Sequence, residues 1–305
     1  MPDAPATPAT ASVAVDDTEE IYKKGLGITA WLSIGWLAIV AGSAIVAPFI
    51  GLNDPNNIRN PVKLSYFQEG FIFGTDDNGR DVFARAFFGG SASLTIALVS
   101  IAFGSIIGGL VGLIAGYFGG KIGTVLASMF DILLAFPPLL LALTLVSVLS
   151  PATEASDPPT RLDRILVVAL AVGLVSIPIL ARITRANTLQ WSQREFVMAA
   201  RAQGAKPLGI MFREVLPNVV PAMLSIALLG VATVIITEGG LALFGLSVLP
   251  PDPSWGSMVA SQIDDLDVTP NVWIVPSVII FLTVMSLNFL GDVVRDRFSV
   301  REAAI

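Results

Sequence analysis

Two acidic residues, Asp131 and Glu238, lie inside long apolar stretches of this 305-residue chain. A charged side chain near the centre of a bilayer costs at least about 2.5–3.5 kcal/mol, so each carboxylate needs a partner, water or a proton. Such a group could line a transport cavity or form part of a gate, or it could belong to a buried structural pair. The sequence favours the structural interpretation for both, and Arg182 or Arg185 is placed to reach Asp131.

Pro137 and Pro138 follow Asp131 in the same apolar stretch. A proline removes a backbone donor and clashes with the preceding helical turn, so the pair predicts a kink. A kinked span suits the lining of a cavity or a segment that bends during gating. Asp131, Pro137 and Glu238 are therefore the candidate pore or gate residues.

Most enzymatic chemistry is excluded by what the chain lacks. It has no cysteine and no histidine, which removes thiolate nucleophiles, the commonest transition-metal ligand and the commonest general base. Gly120-Lys121 resembles part of a phosphate-binding loop, but Ala115 and Ile122 break the G-x4-G-K-[ST] pattern. We therefore predict no catalytic residues, no bound metal and no nucleotide site, and we expect no nucleic-acid partner.

Apolar helices must position these residues. Hydrophobic residues make up 54% of the chain and charged residues 14%, with a mean hydropathy of +0.76, whereas a soluble domain carries about 25% charged residues. Charge-free intervals predict six spans for a hydrocarbon core of about 30 Å. The spans are roughly 28–50, 94–117, 124–149, 165–181, 219–246 and 272–290. The fourth is short and the fifth is predicted to break at Gly239-Gly240, which gives an all-α polytopic membrane protein with six transmembrane helices.

These spans divide the chain into five segments. Residues 1–24 are a predicted disordered tail rather than a signal peptide, because the first 20 residues carry no basic side chain. Residues 25–50 hold the first transmembrane helix, 51–90 an external loop, 91–297 a five-helix core and 298–305 a C-terminal tail. Twelve of the 18 Lys and Arg residues flank the side that holds both termini, which makes that side cytoplasmic.

The second span carries a glycine at every fourth position. The set is Gly104, Gly108, Gly112, Gly116 and, just beyond the span, Gly120. A four-residue step puts these positions on one helix face, where small residues let a neighbouring backbone approach. This face is predicted to pack tightly against another helix.

A polar, helix-prone loop at 191–217 separates the fourth and fifth spans. Ser192 and Glu195 have the spacing of a capping box, and Gly204 suits the left-handed turn that ends a helix. A second helix is predicted over 207–215, with Pro217 marking the start of the fifth span. The first helix would expose Ala199, Ala200 and Ala202 beside Arg201, a surface that fits a groove on another protein. An ordinary basic juxtamembrane loop is the alternative.

This loop resembles the coupling-loop motif of ABC-importer permeases, E-A-A-x3-G-x9-I-x-L-P. Eight of its residues carry the match: Met198, Ala199, Ala200, Arg201, Gly204, Glu214, Leu216 and Pro217. Met198 replaces the acid of the motif and Glu214 replaces its isoleucine. The resemblance implies that residues 191–217, hereafter the coupling segment, dock on a separate ATPase.

Further motifs resemble the second permease of dipeptide and oligopeptide importers. The first matches G-T-D-x-x-G-R-D in the external loop, with Gly74, Thr75, Asp76, Gly79, Arg80 and Asp81. A metal site is conceivable there, but the interleaved arginine favours a salt-bridged, self-ordered loop. The stretch 238–256, Asp131 with Pro137, and 291–296 match as well, so the resemblance covers about residues 25–296.

The resemblance implies a type I ABC-importer permease in a bacterial or archaeal cytoplasmic membrane. It implies four kinds of partner: a second homologous permease, one or two cytoplasmic ATPase subunits, an extracytoplasmic peptide-binding protein and the lipid bilayer. ATP and Mg would be bound by the ATPase subunits, and none by this chain. Two alternatives stay open: a related permease for another cargo such as chelated nickel, and an ion-coupled secondary transporter with Asp131 and Glu238 as ion sites.

Overall fold

A computed structural model describes residues 27–47, 49, 51–150, 160–263 and 266–303, with side chains described up to Arg297. Within these ranges the chain folds into helices and has no strand longer than an isolated bridge. The helices are α1 (Ile28–Val46), α2 (Val82–Phe118), α3 (Gly120–Leu134), α4 (Pro138–Leu149), α5 (Arg161–Trp191), α6 (Glu195–Ala202), α7 (Pro207–Ile210), a π-helical turn (Met211–Val215), α8 (Leu216–Leu243), α9 (Trp255–Ala260) and α10 (Pro270–Ala303). The all-α prediction is confirmed, whereas the predicted tail 1–24 lies outside the described residues.

Five helical stretches of the described chain are long and apolar enough to cross a membrane, and the bent pair α3–α4 makes a sixth. The axes of α3 and α4 differ by 87°. Pro137 and Pro138 stand at the break and have no N–H for the helical ladder. The predicted kink is therefore present, as a full interruption of the span.

Three helices extend well beyond their predicted spans, and one of them is α10, which runs 13 residues past the predicted end at 290. α2 begins at Val82 rather than after residue 90, because Asp81 caps it by accepting hydrogen bonds from the N–H groups of Phe83 and Ala84. α5 begins at Arg161, behind a capping box formed by Thr160 and Asp163, and is 31 residues long. The helix thus extends beyond both ends of the predicted fourth span, 165–181, because charge-free intervals do not register the polar turns at the ends of a long helix.

The glycine stripe of α2 packs against α5 as predicted. A Cβ on Gly108 would lie 2.7 Å from the carbonyl oxygen of Ile177, and one on Gly116 would lie 2.6 Å from Cβ of Thr188. The hydroxyl of Ser100 also donates a hydrogen bond to the carbonyl of Ala169 on α5, at 2.8 Å. Gly120 takes a positive φ, and a Cβ there would meet no neighbour, so it is the first residue of α3 and does not belong to the stripe.

α8 is continuous through Gly239-Gly240, so the predicted break there is wrong. α10 packs along α8 and α1, and the Trp36 indole N–H donates to the hydroxyl of Thr283 at 3.1 Å. The main apolar core lies between α2, α4, α5 and α8 and includes Ile96, Val172 and Ile235.

Candidate functional site

The coupling segment begins with α6 and turns at Gly204. Gly204 takes φ = 78°, a left-handed conformation that glycine adopts without steric cost, so the predicted turn is confirmed. The predicted capping box at Ser192 is wrong. Arg194 occupies the N-cap position, and the Ser192 hydroxyl donates instead to the carbonyl of Leu189 at 3.0 Å.

The second helix of the segment does not end at Val215 as predicted. α7 leads through the π-helical turn Met211–Val215 directly into α8. The π turn has a wider hydrogen-bonding register than an α-helix, and Pro217 lies in the first turn of α8, where a missing N–H is tolerated. The segment is thus one end of a helical stretch that continues into a candidate membrane span.

A cluster of buried apolar side chains, hereafter the root, fixes the segment to the bundle. Val197 of α6 is fully buried with Ile210, Met211 and Val215, against Leu113 of α2. Burying each of these side chains contributes roughly 1.5–3 kcal/mol. The root joins α6, the π turn and α2, and the π turn continues into α8. A displacement of the segment would therefore be passed to both α2 and α8.

Two cation–π contacts reinforce this root. The guanidinium of Arg201 lies 5.5 Å from the ring centroid of Tyr117 at the end of α2, and that of Arg194 lies 5.2 Å from the Trp191 ring. Each contact stabilises by about 0.5–1 kcal/mol at a partly exposed site. Arg201, which the sequence placed on the exposed face, therefore also anchors α6 to α2.

The opposite face of the segment is exposed and mixed in character. Of the eight residues that carry the motif, Ala200 and Leu216 are half-buried against the root, while the other six are exposed. Met198 of the motif is 53% exposed, and two further large apolar side chains are exposed as well, Leu208 at 59% and Phe212 at 45%. An apolar patch flanked by basic residues is the composition expected of a surface that seats in a partner protein.

The external-loop motif folds as predicted, around a salt-bridged carboxylate. Asp76 accepts from Arg80 Nε at 2.6 Å and from the backbone N–H groups of Asn78 and Arg80. Gly74 and Gly79 have φ values of 72° and 75°, and a Cβ on either would collide with a backbone carbonyl. The second acid of the motif, Asp81, caps α2. Asp76 and Asp81 therefore both have structural roles.

Two further contacts complete the external-loop motif. The Thr75 hydroxyl donates to the carbonyl of Pro61 at 2.6 Å, and the side-chain amide of Asn53 donates to Asp81 at 2.8 Å. They tie the motif to earlier residues of the same loop. The motif is therefore held in place by the rest of the external loop.

Arg85 is a functional candidate that sequence reasoning missed. Its guanidinium is buried, lies 3.7 Å from Asp76 and donates to the carbonyls of Pro55 and Pro251. It therefore staples the loop before α2 to the loop after α8. A charge four residues after the last residue of the predicted motif, Asp81, was the available signal.

Glu238 is fully buried and surrounded by donors. Its carboxylate accepts hydrogen bonds from the hydroxyls of Ser93 (3.2 Å), Ser254 (2.7 Å) and Ser247, and from the backbone N–H of Gly256. These groups come from α2, from α9 and from the loop between α8 and α9. The carboxylate thus joins three elements at one point, as the structural interpretation predicts.

Asp131 lies in a different environment. It pairs with Arg182 at 3.8 Å, and both side chains are more than half exposed. Of the two arginines predicted to reach it, the structure selects Arg182. An exposed pair of this kind contributes only about 0–1 kcal/mol.

A cavity of about 210 Å³ lies between α2, α4, α5 and α8. Its lining is apolar apart from a few hydroxyls and includes Ile101, Pro138, Val172, Ser176, Gly230 and Thr237. The described structure does not bring Asp131, Pro137 or Glu238 into this lining. The three predicted pore residues therefore do not form one site.

Comparison with known proteins decides the family. The sequence profile of the family described as "Binding-protein-dependent transport system inner membrane component" matches residues 108–302. The chain is 32% identical to the dipeptide transport system permease protein DppC of Alkalihalophilus pseudofirmus, over 89% of this chain and 83% of that protein. It is 35% identical to the glutathione transport system permease protein GsiD of Escherichia coli O157:H7, over 90% and 86%. The chain belongs to this family.

The fold agrees with this assignment. Inward-facing structures of the MetNI methionine ABC transporter match with a TM-score of 0.54 and 20% identity, over 68% of this permease and 93% of the matched chain. The protein is a multi-pass membrane permease of the ABC-importer type. Its family implies ATPase partner subunits and a substrate-binding protein.

Replacing Glu238 with glutamine is expected to destabilise the permease by about 1–3 kcal/mol, because the new amide N–H₂ group faces hydroxyls that must donate. The hydroxyl oxygens of Ser93 and Ser254 already accept from the N–H groups of Trp255 and Ser257, which directs their hydrogens to residue 238. Thermal unfolding of the purified protein measures the change.

Asp131→Asn is the matched control, since it removes only an exposed ion pair and should shift unfolding little. A Glu238→Gln variant with wild-type unfolding and no transport would contradict the structural role and assign the carboxylate to gating. Wild-type unfolding with wild-type transport would remove both roles.

Proposed function

We propose that this permease forms half of the translocation pore of an ATP-driven importer for dipeptides and oligopeptides. A second, homologous permease would supply the other half. The support for a peptide cargo is the set of relatives, which includes the di/tripeptide transport system permease protein DppC of Pseudomonas aeruginosa at 33% identity over 86% of this chain. Dipeptides, tripeptides and glutathione share a free carboxylate and peptide-like amides.

The observation that carries the proposal is the two-sided coupling segment. One face is exposed and shaped for a partner, while the other is rooted on α2 and continuous with α8. Closure of an ATPase pair would push on the exposed face, and the root would pass that displacement to both helices. Rocking of the two permeases as rigid bodies would then switch the pathway between them from inside to outside access.

The partners supply what this chain does not. In our proposal ATP and Mg are bound by one or two ATPase subunits, and an extracytoplasmic binding protein delivers the peptide. Both termini and the coupling segment face the cytoplasm of a bacterial or archaeal cell, as the distribution of Lys and Arg predicts. No cofactor and no nucleic acid is required by any step.

An ion-coupled mechanism finds less support in the geometry. The Glu238 carboxylate accepts hydrogen bonds from four donors, and Asp131 forms an exposed ion pair with Arg182. Neither leaves oxygen ligands directed into the cavity of about 210 Å³. Coupling through a separate ATPase requires no such ligands.

Uptake measurements in cells that lack this chain test the cargo and the energy source. Restoring the chain should restore ATP-dependent uptake of a labelled dipeptide, and unlabelled tripeptides or glutathione should compete. Nickel accumulation should not change. Uptake that survives ATP depletion would contradict the ATP-driven mechanism, and a loss of nickel accumulation without loss of peptide uptake would contradict the peptide cargo.

A further inference from the structure

A short hairpin, residues 64–73, lies at the end of the bundle opposite α6. The side-chain amide of Asn271, the second residue of α10, donates to the carbonyls of Leu64 (3.2 Å) and Phe73 (2.6 Å). The Phe73 ring packs against Phe83 of α2 with 5.5 Å between centroids. These contacts fix the base of the hairpin to the ends of two membrane helices.

The surroundings of Phe73 place this base beside the start of the apolar stretch of α10. Phe73 and Ile279 pack against one cluster that includes Val272 and Val275, so the base lies beside the first turns of the apolar stretch of α10. Trp273, in the first turn of α10, is a residue type that concentrates at the boundary between bilayer and water. The hairpin therefore starts beside the end of a candidate membrane span.

The tip of the hairpin leaves large apolar side chains uncovered. Phe67 is 78% exposed, Ile72 44% and Tyr66 37%. Within the hairpin the N–H of Phe67 donates to the carbonyl of Ile72 at 3.2 Å, and the N–H of Phe71 donates to the carbonyl of Gln68 at 2.9 Å. Residues 64–73 contain a single charge, Glu69. Such a surface gains about 25 cal/mol for each Å² that leaves water.

We propose that Tyr66, Phe67 and Ile72 insert into the headgroup region of the adjacent leaflet and anchor the external loop to the bilayer. On α10, whose start holds the base of the hairpin, Val278 and Phe281 are also exposed. A soluble partner at this depth would have to displace lipid, which favours the bilayer as the occupant. The proposal needs only a membrane-spanning chain and does not depend on the cargo.

Spin labelling tests the anchor, and the chain offers a clean background because it has no native cysteine. Phe67→Cys and Ile72→Cys carry the nitroxide, in the importer assembled with cysteine-free partner subunits and reconstituted in lipid nanodiscs. Asn78→Cys, on the exposed turn of the external motif, is the water reference. Phe281→Cys, on the exposed face of α10, is the lipid reference.

The labels at 67 and 72 should collide more often with oxygen than with a water-soluble nickel chelate, as the label at 281 should. The label at 78 should show the opposite preference. Equal behaviour of 67, 72 and 78 would overturn the proposal. Labels that become shielded from both reagents only when the binding protein is added would assign the surface to that protein instead. Labels shielded from both before it is added would show packing against another subunit, which also contradicts a lipid anchor.

Discussion

Replacing Gly112 with leucine is expected to remove most of the folded permease from the membrane. A Cβ at this position would overlap the carbonyl oxygen of Ala181 and lie 2.8 Å from Cβ of Thr184, both on α5. Because the obstacle is backbone, no rotamer change relieves it and the two helices must separate. Overpacking of this kind costs about 3 kcal/mol or more. The monodisperse fraction after detergent extraction and the unfolding temperature measure the loss.

Gly42→Leu is the matched control for this prediction. Gly42 lies in α1, where an added Cβ meets no atom within 4 Å. The same substitution there should leave extraction and unfolding close to wild type. Equal yields of the two variants would mean that the α2–α5 interface does not depend on close backbone approach.

The second large effect is expected at the coupling segment. Ala199→Trp should leave the permease folded, since Ala199 is exposed on α6 and its neighbour Val197 holds the root. The bulky ring would prevent the exposed face from seating on the ATPase. A docking loss of about 1.4 kcal/mol already corresponds to a tenfold change in affinity. Uptake should therefore fall roughly tenfold or more, at wild-type protein yield.

Ala199→Ser serves as the control of similar size and should transport normally. The comparison is informative only with protein yield measured in the same membranes. Normal uptake by Ala199→Trp would contradict docking through this face. Loss of yield in Ala199→Trp would show that the residue belongs to the root.

Local rules predicted the parts of the fold that depend on short spacing. The four-residue glycine step gave the packing face of α2, and Gly204 gave the turn after α6, because each rests on the steric freedom of one residue type. Paired prolines gave the break between α3 and α4. The external motif was correctly interpreted as salt-bridged because Asp76 and Arg80 are close enough in sequence to meet in one turn.

Tertiary contacts decided what the sequence could not. α8 passes through Gly239-Gly240 unbroken because Glu238 is held by three serine hydroxyls. Ser247 lies 9 residues from Glu238 in the sequence, Ser254 lies 16 residues away and Ser93 lies 145 residues away. No local pattern signals such a cluster. The π turn at 211–215 also has no signal in the sequence, because it arises where α7 joins α8 in one continuous helical stretch.

Helix ends were the least predictable boundaries. Hydropathy placed the start of the second span about ten residues late, because buried Arg85 and the Asp81 cap belong to the helix although both are charged. The same reasoning shortened α5, whose last turns carry Arg182 and Arg185. Charge marks the edge of the bilayer, and these helices extend past it.

Photocrosslinking from position 198 tests the central claim most directly. Met198 is 53% exposed on α6, so a photoreactive side chain there should not disturb the fold. In intact cells it should capture an ATPase subunit that carries a nucleotide-binding motif, and the same probe at Asn78 should not. Failure to capture any ATPase from position 198, in cells where the permease is folded and present, would contradict the account.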